Sequence, residues 1–144
     1  MSENQNVEAQ DEGYDISDLL TDETREVDGV WRDLPRGAGV KVGRWQNDEF
    51  QKMMRRKFKS NRVMLEQDDD ISDKVSLDIL IEVMAHTILK DVKNIKFGGA
   101  VIEKYTPAIG IKLLTVKDFR DKVRAFAEDV NVYRVKQEDE AVKS

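Results

Sequence analysis

The 144-residue chain contains no cysteine, one histidine and two prolines. Without cysteine there can be no disulfide, no thiolate metal site and no thiol nucleophile, a composition that suits a reducing cytoplasm. The lone histidine, His86, lies in an apolar helical stretch with only Glu82 and Lys90 one turn away. No constellation of catalytic spacing surrounds it, so it reads as a partly buried structural histidine. No apolar run approaches the ~18–20 residues needed to cross a bilayer. Nor does a basic region precede an apolar stretch at the N-terminus, so neither a membrane contact nor a secretory signal is expected. Gly37-Ala38-Gly39 and Gly98-Gly99 lack the Lys-Ser/Thr pair of a phosphate loop and read as turns. Asp68-Asp69-Asp70 lacks the alternating ligands and distal glutamate of a calcium loop and reads as a solvated, cap-rich linker. No pair of carboxylates stands in environments that would split their pKa values. The usual grounds for an enzyme are therefore missing, and no catalytic, cofactor or metal residue is assigned.

Charge, by contrast, is abundant and unevenly placed. Residues 1–28 hold ten acidic residues against the single base Arg25, a net −9, so the whole-chain −5 leaves +4 for residues 29–144. Such a segment buries too little apolar area to offset chain entropy and is expected to be a disordered acidic tail. Its sparse apolar residues, Tyr14, Ile16, Leu19 and Leu20, are expected to pack nowhere. Residues 29–136 are expected to form one helical domain, and residues 137–144 a frayed, charged end.

The fold class expected is mainly α (α+β), about four helices with two small β-hairpins. Val30-Trp31 and Val40–Trp45 flank a Pro/Gly turn and predict a hairpin. Asn47 is placed to cap a helix with Asp48 and Glu49 in its first turn, and with Phe50, Met53, Met54 and Phe58 on one side. The most apolar stretch, about Lys74 to Lys90, predicts a central helix. Ile95–Phe97 and Ala100–Ile102 around Gly98-Gly99 predict the second hairpin. Thr106 caps a short helix with Pro107 at its first position, and Thr115 is placed to cap the next. In that last helix Phe119, Val123, Phe126, Val130 and Tyr133 recur at steps of four and three, one apolar face.

Two surfaces follow as candidates. The apolar stripe continues to Tyr133 and Val135 with little chain left to cover it, so Val130, Tyr133, Arg134 and Val135 are candidate partner-binding residues. Lys52, Arg55, Arg56, Lys57, Lys59 and Arg62 give six cations in eleven residues without an acid. With Trp45 or Phe58 to stack on bases, this run would suit a small nucleic-acid-binding regulator. One basic helix falls short of a domain-wide footprint, so Lys52, Arg55, Arg56 and Lys59 read as a solvated surface patch, and no nucleic-acid partner is expected.

Four stretches in order carry a resemblance. They are Val40–Asn47 with Phe50 and Arg55-Arg56, Glu82–Asp91, Tyr105-Thr106-Pro107 with Gly110–Leu114, and Phe119-Arg120-Asp121 with Ala127, Asp129, Tyr133 and Arg134. In that order and spacing the chain resembles the tail assembly chaperones of long-tailed, non-contractile bacteriophages. It departs from that pattern at Val92 and Ala108, where a tryptophan and a glutamate are usual. The resemblance implies a non-enzymatic protein of the host cell cytoplasm that coats and solubilises the tape-measure protein. It also implies recruitment of tail-tube protein, self-association, absence from the mature virion, and a longer frameshifted form in some members. A structural tail or connector subunit is the alternative.

Overall fold

A computed structural model describes residues 12–135; residues 1–11 and 136–144, and what composition suggests of them, lie outside the described residues. Strand β1 (Val30–Asp33) and strand β2 (Gly39–Val42) form the first expected hairpin, with Val30 opposite Val42 and Asp33 opposite Gly39. The connection turns through left-handed backbone at Arg36 and Gly37, φ 64° and 75°. Helix α1 (Glu23–Asp28) precedes this hairpin.

Helix α2 (Asp48–Ser60) starts where its cap predicts, Asn47 Oδ1 accepting from the Phe50 N–H at 3.0 Å. A short helix α3 (Arg62–Leu65) turns the chain into the central helix α4 (Asp69–Thr87). Here the structure departs from the expected span. Asp68 caps α4 by accepting from Ile71 N–H at 3.1 Å, and Asp69 and Asp70 fill its first turn. The acidic run is thus a helix start matched to the positive end of the helix dipole, and not a free loop.

At its other end α4 stops at Thr87, because Leu89–Lys93 are recruited as strand β3. β3 pairs antiparallel with β2, Val40 opposite Val92 and Val42 opposite Leu89, giving the sheet order β1-β2-β3. A third strand was not legible, since Ile88-Leu89 continue the apolar run of the helix. Pairing covers the edge that β2 would otherwise present, and Val40, Val42, Leu89 and Val92 are all buried.

Strands β4 (Lys96–Phe97) and β5 (Ala100–Val101) make the second hairpin about Gly98-Gly99, both at positive φ. Helix α5 (Pro107–Leu114) follows, its Thr106 cap accepting from Ile109 N–H at 3.3 Å. Thr115 does not cap the next helix. Its hydroxyl donates back to Ile111 O at 2.7 Å and closes α5, while α6 (Lys117–Glu128) begins after Val116 without a side-chain cap.

The core lies where α4 meets α2, α5 and the sheet, around Ile79, Ile81, Val83, Met84 and Ile88, with Leu113, Leu114 and Val123 closing it. The last helix is shorter than the stripe predicts. It ends at Glu128, and Val130–Tyr133 form a single 3-10 turn. Asp129, Val130, Asn131 and Val132 are all weak helix formers, and the break drops Tyr133 into the core at 0% exposure.

Regular structure also starts earlier than composition suggests. Residues 16–19 form a 3-10 turn, and Asp22 caps α1 by accepting from Thr24 and Arg25 N–H groups. Asp22 N–H donates to Tyr133 O at 2.7 Å, Val135 N–H to Leu20 O at 2.9 Å, and Thr21 bridges Arg134. Glu26 lies 3.4 Å from Arg44. Charge counting treats these acids as solvated; cap, ion pair and backbone pairing instead fix residues 20–28 onto the domain. The apolar residues before them do pack nowhere, with Tyr14 at 76% and Ile16 at 71% exposure.

Candidate functional site

The four residues expected at a C-terminal docking face are not left open together. Tyr133 is fully buried and its hydroxyl donates to Val42 O at 2.8 Å, which removes it from any interface. Arg134 is partly covered, its guanidinium donating to Leu19 O, and Val130 is partly buried. Only Val135 is open, at 53%. The chain that covers this stripe comes from the other end, residues 19–22, which charge composition assigns to a disordered tail.

The basic run is divided by the helix. Lys57 turns inward to Glu82 at 2.8 Å. Lys52, Arg55, Arg56 and Lys59 sit at the i, i+3, i+4 and i+7 positions of α2, opposite buried Phe50 and Met53, and all four are exposed. None of the four, nor exposed Arg62 beyond them, has an acidic partner among the described residues. Trp45 is not free to stack on a base: its ring lies 4.9 Å from Phe50 and carries the Arg124 guanidinium at 4.4 Å. Phe58 remains open beside the cations.

A third surface escaped the sequence reading. The loop after β1, the start of β4 and the corner between α5 and α6 enclose an open groove of about 430 Å³. Leu34, Pro35, Ile95, Phe97, Leu113, Val116 and Phe119 line it, with Lys96 and Lys122 at its rim. Asn94 holds one wall in place, its side-chain amide donating to Gly37 O at 2.8 Å. The residue itself takes left-handed backbone at φ 54° to aim that amide. Phe97 stays 41% exposed and Val116 44% exposed, large apolar side chains at the mouth of a largely apolar wall. The hairpin and the α5 cap are each legible in sequence; that their ends converge is a tertiary fact without a periodic signal.

The polar chemistry elsewhere is structural. His86 lies on the exposed side of α4, not partly buried as its neighbours suggest, and its Nδ1 is 2.9 Å from Glu82 O. Tyr105 donates to Ala85 O at 2.6 Å. Burial, aided by the charge of Asp91, pushes its phenol pKa well above the ordinary range. Burial does the same to Tyr133, with Asp129 and Glu26 adding to the rise and Arg32 and Arg44 opposing it. Among the described residues no group of three His, Asp or Glu side chains is placed to hold a metal ion, and no helix is long and apolar enough to cross a membrane.

Neither the curated proteins nor the solved structures contain a match to this chain. Residues 45–144 do match one family profile, described as YdaY prophage protein. That span runs from Trp45 through α2, the central helix, both walls of the groove contributed by β4 and the α5–α6 corner, and the buried Tyr133. It covers more than half of the sequence, and the chain therefore belongs to the YdaY prophage protein family, a phage-derived group.

Proposed function

We propose that this prophage protein is a non-enzymatic tail assembly chaperone. It works in the host cell cytoplasm, holds helical segments of a tape-measure protein in solution, and delivers them to tail-tube protein before leaving the assembling tail. The observation that carries the reading is the open apolar groove between β4 and the α5–α6 corner. Its largely apolar lining suits the apolar face of an amphipathic helix, read as side chains at i, i+3, i+4 and i+7. Lys96 and Lys122 at the rim favour a helix with acidic flanks. The resemblance of four ordered stretches to tail assembly chaperones supplies the target, and membership of a prophage family agrees with a phage context.

A long target with repeated helical segments would bind many copies, so each groove needs only modest affinity. The test is co-expression with the tape-measure protein of the same prophage, scoring soluble recovery and co-purification through a tag on this chain. Rescue by the wild type, lost with Phe97→Asp plus Val116→Asp at unchanged circular dichroism, is the expected result. No rescue by the wild type overturns the proposal. Recovery of this chain in purified virions would instead make it a structural tail subunit.

A further inference from the structure

The basic stripe of α2 is a surface the groove does not use. Lys52, Arg55, Arg56 and Lys59 repeat at the spacing that brings like charges together on one helix face, an arrangement that weakens a helix by a few tenths of a kcal/mol per pair. No acid of the described residues relieves it. Exposed Phe58 borders the stripe, and exposed Val63 and Met64 continue it across α3.

The opposite pattern stands on the segment before α1. Residues 12–20 are exposed throughout, carrying the acids Glu12 and Asp18 without cationic partners, and the open side chains of Tyr14 and Ile16. Leu19 and Leu20 tie this strap at one end, through Arg134 and Val135. The rest is exposed and makes no ion pair with α2 of its own chain. The reach is suitable: Glu12 to Asp15 extend over roughly 13 Å and the 3-10 turn after them adds about 2 Å per residue, against a helical rise of about 10 Å from Lys52 to Lys59.

We infer that the strap of one copy docks on the basic stripe of a second copy, acids on cations and Tyr14 and Ile16 on Phe58, Val63 and Met64. A second copy fits better than nucleic acid, because the apolar residues bordering the stripe have a counterpart in the strap and none in a phosphate backbone. Strap and stripe are different surfaces, so the contact is head-to-tail, and it propagates into a ring or an open array instead of stopping at a dimer.

Sedimentation velocity over a concentration series tests this in full-length protein. Mass is expected to rise with concentration at low salt and to fall toward the monomer near ~1 M salt, where the Debye length shrinks to ~3 Å. Arg55→Glu plus Arg56→Glu should weaken association ~10-fold or more, as should Glu12→Lys plus Asp18→Lys. An equimolar mixture of the two variants should associate again, because each then presents a strap opposite in charge to the other's stripe. Such rescue also shows that both variants are folded. A wild type that stays monomeric, or a mixture that fails to associate, overturns the inference. So does a short DNA duplex that binds the stripe at physiological salt while copies do not bind each other.

Discussion

Replacing Asn47 by alanine should be among the most damaging single changes in the protein. The side chain is 3% exposed and has four polar partners within hydrogen-bond distance at a junction of three segments. Its Oδ1 accepts from Phe50 N–H at 3.0 Å, and its Nδ2 lies 3.0, 3.1 and 3.3 Å from the carbonyls of Arg44, Thr87 and Glu26. Two of those carbonyls keep another donor, since Arg44 O accepts from Asn47 N–H and Glu26 O from Arg44 N–H. Thr87 O, at the buried end of α4, would lose its side-chain donor. Loss of the cap costs about 1 kcal/mol, and an unsatisfied buried carbonyl about 1–3 kcal/mol. The sum, about 2–4 kcal/mol, is a large part of the ~5–15 kcal/mol that holds a domain together. With a urea m-value of about 2 kcal/mol/M, the midpoint should fall by roughly 1–2 M. Far-UV circular dichroism reports the helices, and fluorescence of Trp45, packed on Phe50, reports the junction. Asn47→Ser, which keeps a cap but not the amide donors, should recover about 1 kcal/mol of the loss. An alanine variant within about 0.5 kcal/mol of wild type, the range of ordinary surface changes, would refute the assignment of this side chain as the tie between α1, α2 and α4.

Two further outcomes follow from the buried phenols. Tyr105 and Tyr133 have pKa values raised by burial, so the folded state holds their protons more tightly than the unfolded chain does. Their contribution is complete below the ordinary phenol value of about 10 and is lost as pH climbs above it. Urea midpoints should therefore fall between roughly pH 10 and pH 12, and Tyr133→Phe should flatten that fall while losing about 1 kcal/mol at neutral pH through the bond to Val42 O. Equal slopes in both proteins would contradict this. Gly110→Ala would put a Cβ 2.1 Å from the Tyr105 hydroxyl and 3.0 Å from the Ala85 methyl. Overpacking of about 1–3 kcal/mol should exceed the ~1 kcal/mol helix gain. Adding Tyr105→Phe should cost less in that background than alone, as measured by a double-mutant cycle in urea.

Local chemistry in this chain is written in order along the sequence, and it reads well. Asn47 and Thr106 cap where their side chains and the acids or proline after them say, and Gly98-Gly99 turns a hairpin. Non-local choices read poorly. Nothing in Leu89–Lys93 marks it as a strand until β2 offers an unpaired edge. The stripe ending at Tyr133 has the right period for one face, but the helix stops at Glu128 and the final aromatic reaches the core through a different turn. The same limit hid the groove, whose walls come from segments some 80 residues apart in the sequence, Leu34 and Phe119 among them. Charge composition failed in a complementary way. It describes the mean behaviour of residues 1–28 and misses that Asp22 and Glu26 have specific partners, the Thr24 and Arg25 amides for one and Thr21 and Arg44 for the other.

The burial of Tyr133 also sets an order on how the protein can be made. A nascent chain that has reached Glu128 already carries the six helices and five strands of the described residues, yet Val42 O has no phenol to bond. Asp22 and Leu20, made more than a hundred residues earlier, still wait for their backbone partners at Tyr133 and Val135. Closure is thus postponed until synthesis has passed residue 135. A product halted before that point would display an apolar opening of the kind that cellular quality control removes.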